Sequence, residues 1–336
     1  MSSEVKDKRG RTLRDLRISV TDRCNFRCRY CMPVEVFGAG YQFLPREEIL
    51  RFGEIERIAQ RFVKLGVRKL RLTGGEPLLR RDLTDLVKRL AKIDGVDDIA
   101  MTTNAALLAK HAVGLKVSGL HRVTVSLDAL DAEVFGQMNG VGVGPEKVIA
   151  GIDAALDAGL GVKVNAVIKK GVNDGEALAL AEFARERKIP VRMIEYMDTG
   201  NVNGWKLDEV AASHDLLKCL REKMDLQPVE RLLGETAERY SIEGEEGFEV
   251  GFISSVTKPF CNACNRARLS ADGKIFTCLF ASQGLDVKEI LRGEASDEEL
   301  DKVFTNMWSV RHDNYSEQRN QLTEGLPKAE MSYLGG

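Results

Sequence analysis

In a series of short runs, apolar and polar residues alternate with a period of two, as on a strand whose two faces meet different surroundings. Leu16 and Ile18 oppose Arg17, Ser19 and Thr21; Leu70 and Leu72 oppose Arg71 and Thr73. Ile99 and Met101 oppose Thr102 and Asn104, Val123 and Val125 oppose Thr124, Ser126 and Asp128, and Val162 and Val164 oppose Lys163 and Asn165. Strands are expected over residues 15–21, 68–73, 98–104, 121–128, 161–169 and 190–197. The last run has ambiguous parity, because Arg192 and Glu195 fall on opposite faces. Between the strands the period shifts to that of a helix: Ile49, Phe52, Ile55, Ile58, Ala59 and Phe62 share one face, as do Leu83, Leu86, Val87, Leu90 and Ile93. Residues 145–158 and 175–188 read the same way.

Six strand–helix units in sequence argue for a parallel β/α architecture. Strands covered by helices on both faces are apolar almost throughout, and these are not. In a closed barrel the second face fills the lumen with branched apolar side chains. Here that face carries Arg17, Arg71 and Lys163, and cations in a lumen are costly unless paired. The expectation is therefore an α/β fold, an incomplete (β/α)6 TIM-type barrel with an anionic ligand inside. A sheet with its polar face in solvent is the alternative, which the intervening helices disfavour. From about residue 221 the rhythm changes to hairpins, with strands at 240–242, 248–253, 266–270 and 274–279 and a turn at Asp272-Gly273, then helices at 286–292 and 297–307. The domain expectation is 1–222 for the barrel and 223–336 for a smaller C-terminal α+β domain. Residues 1–12 read as a loose basic arm.

Net charge is −2, which gives no global basic field to argue for nucleic acid or an anionic membrane. Any anionic ligand must be met by locally placed Arg and Lys. No apolar run reaches the length of a spanning helix and the first residues lack a signal-peptide core, so a cytoplasmic location is expected. The seven cysteines sort as Cys24, Cys28, Cys31, then Cys261, Cys264, Cys278, with Cys219 alone in a helical stretch and read as packing. An odd count argues against a disulfide framework.

Cys24, Cys28 and Cys31 fall within eight residues, directly after the first strand. Such closely spaced thiolates converge on one soft metal centre, and three protein ligands leave a position open for a small molecule. The alternative is a zinc-binding loop or buried free thiols. The C-x3-C-x2-C spacing, with Tyr30 before the last cysteine, resembles the radical S-adenosylmethionine signature. Behind the second strand comes Thr73-Gly74-Gly75-Glu76-Pro77, a weak signal alone. At this distance from the cysteines it resembles the same family's GGEP motif, whose glutamate accepts from an ammonium group. In the C-terminal segment, hairpin geometry returns Cys278 beside Cys261 and Cys264. On the residues alone, iron–sulfur and zinc both stand open there, with His111, His121, His214 and His312 all remote in sequence. Arg266 and Arg268 share one strand face beside these thiols and suit bidentate phosphate recognition, although isolated Arg pairs are more often exposed salt-bridge partners.

Together, residues 22–33, 71–80, 123–128, 252–261 and 265–270 and the Gly335-Gly336 end resemble the GTP 3′,8-cyclase family of radical S-adenosylmethionine enzymes. The resemblance implies conversion of GTP to (8S)-3′,8-cyclo-7,8-dihydroguanosine 5′-triphosphate, the first step of molybdenum cofactor biosynthesis. A 5′-deoxyadenosyl radical would abstract the ribose 3′ hydrogen, with no protein side chain as the catalytic group. It implies two [4Fe-4S] clusters, the first on Cys24, Cys28 and Cys31, the second on Cys261, Cys264 and Cys278 in the C-terminal domain. Tyr30, Gly75, Ser126 and Met197 would contact S-adenosylmethionine, with 126–128 and 195–197 supplying ribose-side and adenine-side contacts. Arg17, Arg71, Thr102, Lys163, Arg266, Ala267 and Arg268 would contact GTP, aided by Lys69 and Arg192. Implied partners are an external one-electron donor and a downstream cyclic pyranopterin monophosphate synthase, with a homodimer as one allowed assembly. The terminal Gly-Gly resembles a family tail that reaches into the active site, and Ala105 stands where the family usually has Gly. A peptide-modifying radical S-adenosylmethionine enzyme and a zinc or iron–sulfur nucleic-acid-binding module are the rival readings.

Overall fold

The computed structural model describes residues 4–231, 234–319 and 327–335. The six expected strands form, each a residue or more shorter at an end than the periodicity suggests: β1 (Asp15–Ser19), β2 (Lys69–Thr73), β3 (Asp98–Thr103), β4 (Arg122–Ser126), β5 (Gly161–Ile168) and β6 (Pro190–Glu195). The later strands are β7 (Gln227–Val229), β8 (Glu238–Ser241), β9 (Glu249–Ile253), β10 (Arg266–Leu269), β11 (Lys274–Phe276) and β12 (Leu285–Asp286). Helices α1 (Phe52–Lys64), α2 (Leu83–Leu90), α3 (Ala112–Val117), α4 (Ala132–Asn139), α5 (Glu146–Asp157), α6 (Ala177–Glu186) and α7 (Ser213–Arg221) lie along the first part of the chain. Helices α8 (Lys288–Arg292), α9 (Asp297–Ser309), α10 (Tyr315–Gln318) and α11 (Met331–Leu334) follow the hairpins. No helix among the described residues is long and apolar enough to cross a membrane.

All twelve strands belong to one mixed sheet, in the order β12-β11-β10-β1-β2-β3-β4-β5-β6-β9-β8-β7. The strands after residue 222 extend both edges of this sheet. β9 adds parallel to β6, and β10 adds parallel to β1, so the parallel run grows from six strands to eight. The antiparallel pairs β11–β12 and β8–β7 cover the two edges. Pairing the first strand with a segment some 250 residues later is invisible to local periodicity.

The parity read from the sequence holds. Leu16, Ile18, Leu70, Leu72, Ile99, Met101, Val123, Val125 and Val164 are fully or almost fully buried on the outer face under the helices. Burying each such side chain contributes roughly 1.5–3 kcal/mol, so this outer layer stabilises the sheet and leaves the inner face free for polar groups. The ambiguous sixth strand is resolved: Arg192 lines the interior, whereas Glu195 points away from it. Gly251, opposite Arg192 in register, makes room for that side chain; a Cβ there would lie 2.5–2.9 Å from Arg192 Cδ, Nε and Nη1. Helix α9 starts at a capping box of Ser296 and Glu299 and packs on α1 through Phe304 against Phe62, ring centroids 4.8 Å apart.

Two expectations are corrected. The described part of the N-terminal arm is not loose. Asp7 and Arg11 are buried in a 2.6 Å ion pair, Arg311 joins Asp7 at 3.5 Å, and Trp308 Nε1 donates to the Arg11 carbonyl. Such an arrangement needs partners from the far end of the chain, which composition cannot reveal. Cys219, read as packing, is exposed on α7 because the buried face of that helix is carried by Leu216 and Leu220.

Candidate functional site

The inner faces of β1–β6, β9 and β10 line a single cavity of about 690 Å³, which requires the sheet to curve strongly around it. At the C-terminal ends of the strands, the chain after β1 carries Cys24, Cys28 and Cys31. The turn after β2 is fastened to this loop: Gly75 N donates to the Thr21 carbonyl and Glu76 N to the Arg23 carbonyl, both at 2.8 Å. The two glycines are needed for that approach. Cβ atoms at Gly74 and Gly75 would stand 2.4 Å from Thr21 O and 2.2 Å from Arg23 O, and Gly74 has φ +141°. Glu76 is almost fully buried and accepts from Leu78 N, Thr103 Oγ1 and Asn104 N. Burial pushes its carboxyl up to about 7, against those hydrogen bonds. Three of the roughly four lone-pair positions of this carboxylate are thus engaged within the protein.

All six cysteines of the two triplets line this cavity. Cys24 Sγ accepts from Phe26 N at 3.4 Å and Asn104 Nδ2 at 3.8 Å; Cys264 Sγ lies 3.6 Å from Arg266 Nη2. N–H donors to sulfur are the usual surroundings of iron–sulfur thiolates. Burial raises the thiols of Cys24 (to about 11), Cys28 and Cys31, and that of Cys278 (to about 12). Cys264 differs: burial would raise it too, but Arg266 and Arg311 draw it down to about 6. Among the described residues no three His, Cys, Asp or Glu side chains are grouped as ligands of one metal ion. A cubane asks for a wider triangle, since each thiolate takes a different iron, and half-buried thiols around a shared hollow suit it.

Tyr30, Gly75, Ser126 and Met197 all reach the cavity. Tyr30 donates its hydroxyl to Asp128 Oδ2 at 2.8 Å, and burial pushes the Asp128 carboxyl up to about 6. Glu195 does not belong to the group: its oxygens accept from Ser213, Val256 and Thr257, tying β6 to the start of α7 and the segment after β9.

Further along the interior the register sets Arg268, Arg17 and Arg71 side by side on β10, β1 and β2, with Thr102, Thr124 and Lys163 in line on β3, β4 and β5. Arg71 Nη1 donates to the hydroxyls of Thr102 (3.1 Å) and Thr124 (3.0 Å), yet Arg71 Nε and Arg17 Nε are buried without a partner. Burial, with Arg268, Arg266 and Arg71 as neighbours, pulls Arg17 well below the arginine range. Burial among Arg192, Arg122, Arg71 and Lys69 brings Lys163 down to about 7. Lys69 pairs with Asp15 at 3.4 Å and Arg192 with Glu249 at 2.7 Å, so these two are partly neutralised. Arg266 packs over the Phe260 ring, 5.3 Å from its centroid. Ala267 alone of the expected substrate set turns its side chain into the hydrophobic core.

Gly336 lies outside the described residues, but Gly335 is beside the cavity: its carbonyl accepts from Arg268 Nη1 at 2.5 Å, and it packs on Thr73 and Gly74. Sequence reasoning did not single out Thr124, Asn104 or Arg311. The first two lie on the polar parity face already noted. Arg311 follows α9 and carries no local signal; it donates to the Cys264 carbonyl at 2.9 Å. Ala105 holds φ +58° in full burial, the left-handed conformation for which glycine is the usual residue.

The chain matches the family model for the Radical SAM superfamily over residues 18–184 and that for Molybdenum Cofactor Synthesis C over 189–317. It is 46% identical over 341 residues to the GTP 3′,8-cyclases of Staphylococcus carnosus, Staphylococcus aureus and Staphylococcus haemolyticus, covering 100% of this chain and of each relative. In fold it is similar to Streptococcus suis SuiB, with TM-score 0.62 at 17% identity over 90% of this chain and 67% of that one. The crystal structure of SuiB bound to S-adenosylmethionine gives the same score, over 92% and 71%. With both halves matched and the identity running end to end, the chain belongs to the GTP 3′,8-cyclase family of radical S-adenosylmethionine enzymes.

Proposed function

We propose that this protein converts GTP to (8S)-3′,8-cyclo-7,8-dihydroguanosine 5′-triphosphate by abstraction of the ribose 3′ hydrogen, opening molybdenum cofactor biosynthesis. One observation carries the reading: two sets of three cysteines and a row of unneutralised cations line the same cavity. The curved sheet is read as an incomplete barrel, with 1–222 serving S-adenosylmethionine and 223–336 the second thiolate set and the tail. Cys24, Cys28 and Cys31 would hold a [4Fe-4S] cluster, which when bound supplies the electron that splits S-adenosylmethionine into methionine and a 5′-deoxyadenosyl radical. Cys261, Cys264 and Cys278 would hold a second cluster facing the guanine.

The residues' own task is positioning. Tyr30, Gly75, Ser126 and Met197 bound the S-adenosylmethionine end. Arg17, Arg71, Lys163, Arg266 and Arg268 present fork-shaped or point charges to a triphosphate, which no neutral ligand would reward. Leu334, fully buried, and Gly335 help exclude water from the mouth beside Thr73. An external one-electron donor, a cytoplasmic homodimer and hand-over of the product to cyclic pyranopterin monophosphate synthase belong to the same proposal.

The test is anaerobic reconstitution followed by incubation with GTP, S-adenosylmethionine and a reductant. About eight irons per chain, 5′-deoxyadenosine and the 3′,8-cyclised nucleotide are expected, and Cys24→Ser should abolish 5′-deoxyadenosine. Tightly bound zinc without cluster absorbance, or unchanged GTP after turnover, would overturn it.

A further inference from the structure

We propose that the loop Asp198–Asn201 is the dock that sets the C-terminal tail, with Asp198 as a positioning residue; the inference rests on the cavity being the active site. The loop follows Met197 directly at the end of β6, and each of its four residues meets the tail. Asp198 takes the Lys328 ammonium on both Oδ2 and its backbone carbonyl, at 2.9 Å each. Thr199 Oγ1 lies 3.7 Å from the Met331 sulfur. Gly200, at φ +69°, lets Glu330 approach so closely that a Cβ would fall 2.1 Å from its carboxylate. Asn201 donates its backbone N–H to Glu330 Oε1 at 2.9 Å and its Nδ2 to the Lys328 carbonyl at 2.5 Å.

Asp198 also gathers the segment before the tail. Its Oδ1 accepts from Arg319 Nε at 2.9 Å, and its Oδ2 from the Tyr315 hydroxyl at 2.8 Å. The Asp198, Arg319 and Lys328 side chains are only 11%, 10% and 6% exposed, so the carboxylate is a largely desolvated counter-ion to two cations. Removing one partner from such a cluster leaves buried charge uncompensated. Tyr315 stacks on Phe280 at 4.6 Å, with Lys328 5.0 Å and Arg319 5.9 Å from the Tyr315 ring.

The consequence lies seven residues further on. Helix α11 has four residues, too few to hold its own shape. Its register is held by the dock at Lys328–Met331 with Ala329 N on the Ala281 carbonyl, by the Tyr333 hydroxyl on Asp272 Oδ1, and by Gly335 on Arg268. Asp198 does not line the cavity. It acts on the substrate site through the tail it fastens and through Tyr315 and Arg319, which bear on the cavity-lining Phe280 and Ser255.

Two variants of the full-length reconstituted protein test this: Asp198→Asn, which removes the charge, and Gly200→Ala, which pushes Glu330 away. Trypsin cleavage after Lys328 is expected to be at least tenfold faster in both, with cleavage after the exposed Lys223 unchanged as an internal standard. The kcat/KM for GTP should fall tenfold or more while S-adenosylmethionine affinity stays within twofold. Unchanged protection of Lys328 in both variants would overturn the proposal. So would a loss of S-adenosylmethionine affinity with the tail still protected, which would make Asp198 part of the adenine pocket. If Asp198→Asn does not fold, Gly200→Ala carries the same protease test. That test needs no turnover, so its failure and failure of the cyclase reading are separable.

Discussion

Lys163 offers the sharpest test of the charge inside the cavity. Its ammonium is brought down to about 7 by burial and by Arg192, Arg122, Arg71 and Lys69, so near neutrality the free protein holds it half protonated. A triphosphate placed among these cations would return it toward the ordinary lysine value of about 10. Nucleotide binding must then take up protons. At pH 8 a group with pKa 7 is about 0.9 deprotonated, so up to about 0.9 proton enters at this site; at pH 6 the uptake falls to about 0.1. The terminal phosphate, ionising near pH 6, is already fully charged at pH 8 and adds little. Lys69, brought down to about 8 by burial against the pull of Asp15, adds at most roughly half a proton. The sign follows: the depressed lysine favours binding at low pH, and affinity weakens about fivefold between pH 7 and pH 8. Calorimetric titration with GTP at pH 8, in buffers of different ionisation enthalpy, measures the uptake. Lys163→Met should lose about 0.9 proton of it and flatten the pH dependence. Equal uptake in the wild type and the variant would refute the placement of the triphosphate beside Lys163.

Three further outcomes are expected. Gly251→Ala should displace Arg192 from its seat and from Glu249; overpacking of this kind costs about 1–3 kcal/mol, read as a lower Tm together with weaker GTP binding. Arg266→Ala should weaken GTP binding at least tenfold, by calorimetry, while the absorbance of the cluster on Cys24, Cys28 and Cys31 is retained. Ala105→Gly should leave Tm nearly unchanged by differential scanning calorimetry, since relief of about 1–2 kcal/mol of left-handed strain is offset by about 0.4–1 kcal/mol for the freer unfolded chain and about 0.8 kcal/mol for the lost buried methyl.

Much of this was legible in the sequence because a strand's parity is a physical record of what its two faces touch. Leu16 and Ile18 had to be buried, and Arg17 between them had to face elsewhere; Arg71 and Lys163 repeated the message on β2 and β5. The six cysteines could be sorted into two triplets, the first by spacing and the second by the hairpin that returns Cys278 to Cys261 and Cys264. The C-terminal strands were another matter. Their lengths and turns could be read, but the attachment of β9 to β6 and of β10 to β1 depends on partners far along the chain. The same limit hid Asp7–Arg11–Arg311 and the hydrogen bonds that Thr103 and Asn104 donate to Glu76. Residues whose role is set by long-range contact carry no periodic trace.

The distribution of charge inside the cavity argues for two ligands rather than one. Glu76 and Asp128 stand at the C-terminal ends of the strands near the first cysteine set, and both are raised by burial rather than neutralised by cations. Arg17, Arg71, Lys163 and Arg268 occupy the strand interiors, while Asp15 pairs with Lys69 and Glu249 with Arg192 and Arg239. S-adenosylmethionine carries a sulfonium and an ammonium, so it is favoured at the carboxylate end and repelled from the arginine row. A nucleoside triphosphate is sorted the opposite way. Under the proposed function, the polarity of the cavity would order the two molecules along its length before any specific contact forms. An uncompensated arginine row would be a standing cost to the fold in the absence of a polyanion, because the buried cations exchange their hydration for a few neutral acceptors, Thr102, Thr124 and the Gly335 carbonyl, and no counter-charge. The helices packed on the apolar outer face supply the stability that lets the inner face keep its charges unpaired.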